Sequence, residues 1–146
     1  AKYITPTLTL SSNSNTASSN PGPLSFALSL SATDTLDVTE VQSKIIDVSG
    51  THGILWDAST IASSLAAGTD GAWVYLKNLD SAGHIYIGHG SSTALEGGTE
   101  TARLMTLLPG EFAWFPWDLT ADLLHDANGS YTNALEAWIF VRTGTA

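Results

Sequence analysis

The sequence contains no cysteine, which excludes a disulfide framework, a thiol nucleophile and a thiolate metal site. Charged residues are also scarce, at 13% of the chain, where typical soluble proteins have roughly 25%. Only 5 Lys and Arg residues stand against 14 Asp and Glu residues, which gives a formal net charge of −9. Binding to a nucleic-acid backbone rests on clustered basic residues. We therefore expect no nucleic-acid partner.

Long hydrophobic runs are missing as well. No stretch approaches the roughly 18 apolar residues of a membrane span, and the start "AKYITPTLTL" lacks the basic and then apolar pattern of a signal region. We expect no membrane partner. Hydroxyl groups are abundant instead, with 17 Ser and 18 Thr among 146 residues. A neutral hydroxyl surface has little like-charge repulsion to oppose close contact between subunits, which suits a component of an assembly.

Alternation of apolar and polar residues predicts a chain made mostly of strands. "LSFALSL" at 24–30 alternates without error, and Gly, Pro, Asn and Asp clusters separate it from later segments of the same kind. Short strands at this spacing are typical of a sandwich or barrel. We predict an all-β, jelly-roll-like β-sandwich of about eight to nine antiparallel strands with at most one short helix. Strands are expected over 3–10, where Pro6 suggests an edge strand or a bulge, and over 24–30, 36–48, 53–56, 72–78, 84–89, 102–108, 111–117, 121–125 and 135–142.

Two segments bear on helix content and domain organisation. "DASTIASSLAAG" at 57–68 predicts one short helix with Asp57 as its N-cap and Gly68 at its end, whereas 118–126 fits a helix or a strand. "SSNSNTASSNPGP" at 11–23 is of low complexity and reads as a long flexible loop. We predict an extended N-terminal arm and flexible loop over 1–23, followed by a single β-sandwich domain over 24–146.

No stretch amounts to a catalytic signature, so we expect no enzyme activity, no cofactor and no metal. His84 and His89 are five residues apart, which places them on opposite faces of a strand. A cupin-like metal enzyme would have two His one residue apart, followed by a Glu. Asp118, Asp122 and Asp126 recur every four residues and would repel each other on a helix unless a cation such as Ca²⁺ joined them. We interpret them as part of a solvated loop.

Two further motifs have simple structural explanations. The glycine-rich stretch "GHGSSTALEGG" at 88–98 lacks the Lys-Ser/Thr ending of a phosphate loop, and it is expected to be a mobile surface loop. Asn128-Gly129-Ser130 matches a glycosylation acceptor, but Asn-Gly is equally a strong hairpin signal, and we favour the turn.

Large aromatic residues occur on both faces of several predicted strands. In "LLPGEFAWFPW" at 107–117, one face carries Phe112 and Trp114 and the other carries Phe115 and Trp117. "AWVYLKN" and "LEAWIFVR" have the same property, and a two-layer sandwich hides only one face of each strand. The rings are therefore covered by a third layer of the chain, by another subunit, or by a ligand such as a sugar. The candidate contact residues are Trp117, Trp138, Phe140, Phe115 and Tyr75.

The segments "AWVYLKNLD", "HIYIGHG", "LLPGEFAWFPW" and "LEAWIFVR", in this order, resemble small β-sandwich virion proteins of tailed bacteriophages. The resemblance covers about residues 72 to 142 and is strongest to capsid decoration or cement proteins and related tail accessory proteins. It implies a non-enzymatic structural protein of the virion, assembled in the host cytoplasm. It also implies a homo-oligomer, often a trimer, that contacts major capsid or tail subunits. The alternative is a carbohydrate-binding or receptor-binding tail module, in which the rings would hold a glycan.

Overall fold

The computed structural model describes residues 2–4, 7–11, 27–31, 36–63, 71–91, 95, 102–128 and 132–142. Contacts between Cα atoms divide the chain into two compact units, Ala1–Val38 and Thr39–Ala146. The predicted loop over 11–23 lies, except for Ser11, outside the described residues, and so does the predicted boundary after residue 23. The predicted arm and domain organisation therefore stay predictions.

The first unit contains two antiparallel pairs of short strands. In one pair, β1 (Lys2–Ile4) lies beside the first residues of β4 (Leu36–Val48), with Ile4 opposite Leu36. In the other, β2 (Thr7–Ser11) lies beside β3 (Ala27–Ser31). The register of this second pair sets Leu against Leu and hydroxyl residues against Ser or Ala, which preserves the alternation that predicted both strands.

The second unit contains the rest of β4 and seven further strands. They are β5 (Gly53–Trp56), β6 (Ala72–Asn78), β7 (Ile85–His89), β8 (Arg103–Leu107), β9 (Phe112–Trp117), β10 (Leu123–Ala127) and β11 (Asn133–Arg142). Their pairing is nested along the chain, because β4 pairs with β11, β5 with β10, β6 with β9, and β7 with β8. The two resulting sheets have the strand orders β4-β11-β6-β9 and β5-β10-β7-β8.

This strand order is that of a jelly roll, in which eight strands form two packed sheets. Every pair in the unit whose register is described is antiparallel. The predicted all-β, jelly-roll-like sandwich with at most one short helix is confirmed for the described part of the chain. The predicted strand bounds agree with β4 to β11 within two residues at each end.

The core of the second unit lies between the two sheets and is built by strict alternation. In β6, Ala72, Val74 and Leu76 are buried, whereas the residues between them are partly exposed. Burial of aliphatic side chains on one face of each sheet provides the main driving force for this packing. The other inward residues include Leu135, Ala137, Ile139 and Val141 of β11, Ile85 and Ile87 of β7, and Leu107, Trp117 and Leu123.

The predicted helix is present as α1 (Ala58–Ser63), and its predicted N-cap is confirmed. The Asp57 carboxylate accepts a hydrogen bond of 3.0 Å from the backbone N–H of Thr60, and the Ser59 hydroxyl donates to the same oxygen. Gly68, the predicted end of the helix, lies outside the described residues. The ambiguous segment 118–126 contributes a turn and then β10. No helix among the described residues is long and apolar enough to cross a membrane.

Candidate functional site

The outward face of β11, β6 and β9 carries most of the aromatic residues of the second unit. The strand registers place outward residues in three rows across these strands: Phe140, Trp73 and Pro116; Trp138, Tyr75 and Trp114; and Glu136, Lys77 and Phe112. We define the aromatic face as the six rings of this grid, which are Trp73, Tyr75, Phe112, Trp114, Trp138 and Phe140. Six rings on one side of three neighbouring strands form a continuous apolar surface.

The sequence directs these rings outward because the opposite positions are better suited to the core. In β11 the inward residues are Leu, Ala, Ile and Val, which pack closely against the second sheet. The β6 strand follows the same rule, so Trp73 and Tyr75 must point away from the core. In β9 the inward positions are Ala113, Phe115 and Trp117, and this choice leaves Phe112 and Trp114 on the outer face.

The rings of the aromatic face pack against one another. Trp73 and Trp114 are stacked, with ring centroids 5.5 Å apart and an interplanar angle of 7°. Trp114 also contacts Phe140 at 5.6 Å, although β6 lies between their two strands, and Phe140 stacks on Trp138 at 6.2 Å. Tyr75 contacts Phe112 at 6.4 Å. These separations fall in the range of favourable aromatic pairs, so the rings hold each other in fixed positions.

Mutual packing does not remove the aromatic face from solvent. Phe112 keeps 57% of its surface exposed, and the other five rings are half-buried. On the outer face of the neighbouring strand β4, Ile45 is 66% exposed. An exposed apolar residue thus also lies on the outer face of the fourth strand of this sheet. Exposed apolar surfaces that span several strands mark contact sites more often than scattered single residues do.

Charged groups beside the aromatic face are few and lie in one row of the grid. Glu136 accepts a hydrogen bond of 3.0 Å from the indole Nε1 of Trp138, and it lies directly opposite Lys77 on β6. Burial raises the pKa of the Tyr75 hydroxyl, and the nearby Glu136 carboxylate raises it further. Tyr75 is therefore neutral at physiological pH, and the surface offers ring stacking and hydrogen bonding rather than a reactive group.

The structure divides the five predicted contact residues into two groups. Tyr75, Trp138 and Phe140 lie together on the aromatic face. Trp117 lies in the core instead, with 3% of its surface exposed, and its indole Nε1 donates a 3.0 Å hydrogen bond to the Ala121 carbonyl. Phe115 points to the same side and packs against the core. In this chain, Trp117 and Phe115 therefore serve the packing of the sandwich.

Three rings of the aromatic face are absent from the predicted contact set: Trp73, Phe112 and Trp114. The period of two assigns Phe112 and Trp114 to one face of β9 and Trp117 to the other, but it does not say which face is inward. The pairing of β9 with β6 decides this question, because Trp117 lies opposite the buried Ala72. The outward-facing rings of β9 can thus be identified by comparing its residues with the buried and exposed positions of the paired strand β6.

The structure corrects the interpretation of the three aspartates as a solvated loop. Asp126 is a buried residue of β10, and its carboxylate accepts a hydrogen bond of 2.7 Å from the backbone N–H of Leu95. Asp122 accepts a 2.8 Å hydrogen bond from the backbone N–H of Ala58 at the start of α1. Only Asp118 is exposed. No group of three possible metal ligands is found among the described residues.

The glycine-rich stretch at 88–98 also differs from the mobile surface loop that we predicted. Leu95 in its middle is fully buried, and Arg103 donates a hydrogen bond from its Nε to the Leu95 carbonyl at 2.7 Å. A Cβ atom at Gly88 would lie within 3 Å of the Leu95 side chain. Leu95 is thus anchored against β7 and β10, although its immediate neighbours on both sides lie outside the described residues.

Comparisons with known proteins assign no family to this chain. No family model matches it, and no curated protein matches it. A solved structure that matches in part comes from Bacillus endospore appendages, described as a novel family of disulfide-linked pili. The two chains share 14% sequence identity, and the match covers 81% of this chain and 98% of that one with a TM-score of 0.48. The function of this chain must therefore be argued from its own residues.

Proposed function

We propose that this chain is a non-enzymatic structural subunit of a larger particle and that the aromatic face is its contact surface. The observation that carries this proposal is the row-by-row arrangement of six partly exposed rings on one outer sheet face. Rings that pack against each other are preorganised, so a partner loses little side-chain entropy when it covers them. Aromatic residues surrounded by uncharged neighbours are typical of the central part of protein interfaces.

The composition of the chain supports a structural role over transient recognition. Charged residues make up only 13% of the sequence, and Ser and Thr are abundant. Desolvating a hydroxyl group costs much less than desolvating a charge, so such a surface accepts close packing on several sides. The jelly roll adds a rigid body with a well-packed core, which suits a part that transmits mechanical load rather than one that changes shape.

The specific particle that we propose is a bacteriophage virion, with the chain as a capsid decoration or cement protein. This part of the proposal rests on the resemblance of residues 72 to 142 to small virion proteins of tailed phages. Three of the resembling segments form β6, β9 and β11, the strands that carry the aromatic face. The segments that suggest a virion protein are thus also the segments that build the proposed contact surface.

The proposal predicts that the chain is a stoichiometric component of purified particles. Particles would be purified by density gradient from a culture that carries the gene, and the chain would be quantified by mass spectrometry. A Phe112→Ser, Trp138→Ser double variant should be lost from the particles. Leu104→Ser is the matched control, because Leu104 is 55% exposed but lies on β8 of the other sheet. Absence of the wild-type chain from particles would contradict the virion assignment.

A second candidate function is favoured by one feature of the aromatic face. Glu136 lies beside Trp138 and near Tyr75, and a carboxylate next to flat rings can bind sugar hydroxyls while the rings stack on the sugar. The chain would then be a carbohydrate-binding or receptor-binding tail module. A glycan array would show binding that Trp138→Ala abolishes and Leu104→Ser leaves unchanged. An array without any bound glycan would remove this candidate.

A further inference from the structure

We infer that the outer face of the β5-β10-β7-β8 sheet carries a socket for a leucine-bearing loop of a partner protein, and that Leu95 of this chain fills the socket and competes with the partner. The Leu95 socket is built by Gly88 of β7, Asp126 of β10 and Arg103 of β8. It lies on the sheet that does not carry the aromatic face. The inference therefore goes beyond the proposed function and does not depend on it.

Gly88 forms the floor of the Leu95 socket. It lies on the outer face of β7, because Ile85 and Ile87 of the same strand point into the core. A Cβ atom at Gly88 would come within 3 Å of both methyl carbons of the Leu95 side chain. Gly88 is not among the glycines with a positive φ, so the backbone does not require glycine at this position. The missing side chain serves instead to admit the leucine.

Two side chains hold the backbone of Leu95 in the socket. The buried Asp126 carboxylate accepts a 2.7 Å hydrogen bond from its N–H, and Arg103 donates from Nε at 2.7 Å, and also from Nη2, to its carbonyl. The Arg103 guanidinium lies 3.9 Å from the ring centroid of Tyr86, which fixes its position. Because β7 lies between β10 and β8, the segment crosses the strands and does not pair with a sheet edge. The socket thus recognises the N–H, the side chain and the carbonyl of one residue.

The sheet does not need Leu95 in the socket to keep its strands paired. The backbone N–H of His89 donates to the Ala102 carbonyl at 2.9 Å, so β7 and the chain that enters β8 are joined on both sides of residues 90–101. Every hydrogen bond described for Leu95, by contrast, is made with a side chain. Side chains can change rotamer without breaking a strand ladder. Leu95 can therefore leave the socket while the sheet stays intact.

The way in which Leu95 is held specifies the chemistry of the partner segment. The space above Gly88 takes the two methyl groups of a leucine, and the Asp126 carboxylate requires an N–H at the same residue, which excludes proline. The chain's own segment at 92–98 reads Ser-Thr-Ala-Leu-Glu-Gly-Gly, in which small residues flank the leucine. The expected partner is thus a protein with an exposed loop of small residues around a leucine, since surface loops commonly carry binding residues.

The tethered Leu95 makes this recognition conditional. A segment on a short flexible tether acts at an effective concentration on the order of 1 mM. A partner loop must outcompete the tethered leucine, so it binds the wild-type chain more weakly than it binds a chain whose socket is empty. Leu95 therefore acts as an internal competitor that restricts the socket to partners with additional contacts.

Binding of a synthetic peptide tests the inference. The probe is a fluorescent peptide with the sequence of residues 92–98 and blocked ends, and the full chain with Leu95→Ser is titrated into it while fluorescence anisotropy is measured. We expect a Kd of about 1 mM or tighter, and binding to the wild-type chain that is roughly tenfold weaker or more. A control peptide with serine in place of its leucine should not bind. Gly88→Ala, added to Leu95→Ser, should abolish binding, because its Cβ fills the space of the leucine methyl groups.

Hydrogen exchange in the wild-type chain is a second and independent test. The amide of Leu95 is bonded to Asp126, whereas Ile87 lies in β7, which has a paired strand on each side. If Leu95 leaves the socket while β7 stays paired, its amide should exchange roughly a hundredfold faster than the amide of Ile87, after correction for intrinsic rates. Equal protection of the two amides would overturn the inference, because Leu95 would then leave only when the sheet unfolds.

The peptide experiment can overturn the inference in four ways. A folded Leu95→Ser chain that binds no peptide would show that the socket accepts Leu95 only as part of its own chain. Binding that Gly88→Ala leaves unchanged would place the peptide elsewhere. Equal binding to the wild-type chain would show that Leu95 does not compete. Unfolding of the Leu95→Ser chain, followed by circular dichroism, would show that the sheet depends on the seated leucine and that Leu95 cannot be exchanged.

Discussion

The side-chain amide of Asn78 at the end of β6 donates a 3.1 Å hydrogen bond to the carbonyl of Leu107 at the end of β8, and so joins the two sheets. Asn78 is fully buried, and it also donates to the Gly83 carbonyl at 3.2 Å. Its side-chain oxygen accepts a hydrogen bond from the backbone N–H of Asp80. A single amide thus holds the turn after β6 and the last residue of β8.

Substitution of Asn78 should therefore destabilise the fold strongly. Asn78→Ala leaves the Leu107 and Gly83 carbonyls without this donor, and we expect the free energy of unfolding to fall by about 2–4 kcal/mol. Asn78→Asp keeps the shape but turns a carboxylate oxygen toward both carbonyls, so it should be at least as destabilising at pH 7. Urea unfolding measures both effects. A change below about 0.5 kcal/mol in Asn78→Ala would show that the amide does not join the sheets.

His125 should make the stability of the fold depend on pH near neutrality. Burial lowers the pKa of His125 below its ordinary value of 6.5, and the positive charges of Lys44 and His52 act in the same direction, against the opposing effect of Asp126. Its Nδ1 is buried without a hydrogen-bond partner among the described residues. Below pH 6.5 the unfolded chain thus binds more protons than the folded chain, and the free energy of unfolding falls as pH drops toward the lowered pKa.

This pH dependence can be assigned to His125 by comparing two variants. Urea unfolding between pH 7.5 and pH 5 should show a loss of stability in the wild type that His125→Asn removes. His84→Gln serves as the control, because His84 precedes β7 and should leave the loss in place. Titration of Asp57 and Asp118 does not interfere, since hydrogen bonds from Ser59 and Thr120 respectively lower their pKa values and so place their titration at more acidic pH. A slope that persists in His125→Asn would contradict the assignment.

The sequence predicts those parts of the fold that depend on local pattern. The bounds of β6 follow from seven alternating residues between Asp70-Gly71 and the turn at Asp80, because each signal acts within a few positions. The inward face of β9 does not follow in the same way, since both of its faces carry rings. The burial of Asp126 depends on Leu95, which lies 31 positions earlier, and no local pattern reports such a contact. The residues that sequence patterns misplaced are therefore those whose burial depends on partners far away in the sequence.

Gly71 and Gly110 offer a test of how tightly the end of β9 is packed. Both have positive φ angles, 96° at Gly71 and 77° at Gly110, so alanine is strained at either position. At Gly110 an added Cβ meets nothing within 4 Å, and we expect Gly110→Ala to cost about 1 kcal/mol. At Gly71 the Cβ would overlap the carbonyl oxygen of Trp117. Gly71→Ala should cost about 3 kcal/mol or more. Equal losses in thermal unfolding would show that backbone strain alone matters.

Truncation of Trp117 should destabilise the fold much more than truncation of Trp138, although the same sequence pattern predicted both as contact residues. Trp117 is enclosed between the sheets, so Trp117→Ala removes buried ring surface and leaves a cavity. We expect the free energy of unfolding to fall by about 3–5 kcal/mol. Trp138 lies on the aromatic face, and Trp138→Ala removes mainly its contacts with Phe140 and Glu136. Its cost to the stability of the monomer should be about 1 kcal/mol.

Stability and incorporation into particles, measured for the Trp117 and Trp138 variants, distinguish a core residue from a contact residue. Chemical unfolding reports the stability of the chain, and mass spectrometry of purified particles reports whether the chain is incorporated. Trp138→Ala should lower the amount of the chain in purified particles while the chain stays folded, because this ring lies on the proposed contact surface. Conservative Trp117→Phe should weaken folding without a specific effect on incorporation into particles, since this ring faces inward. If Trp138→Ala instead unfolds the monomer as readily as Trp117→Ala does, the rings of the outer face serve the stability of their own sheet, and the aromatic face loses its role as a contact surface.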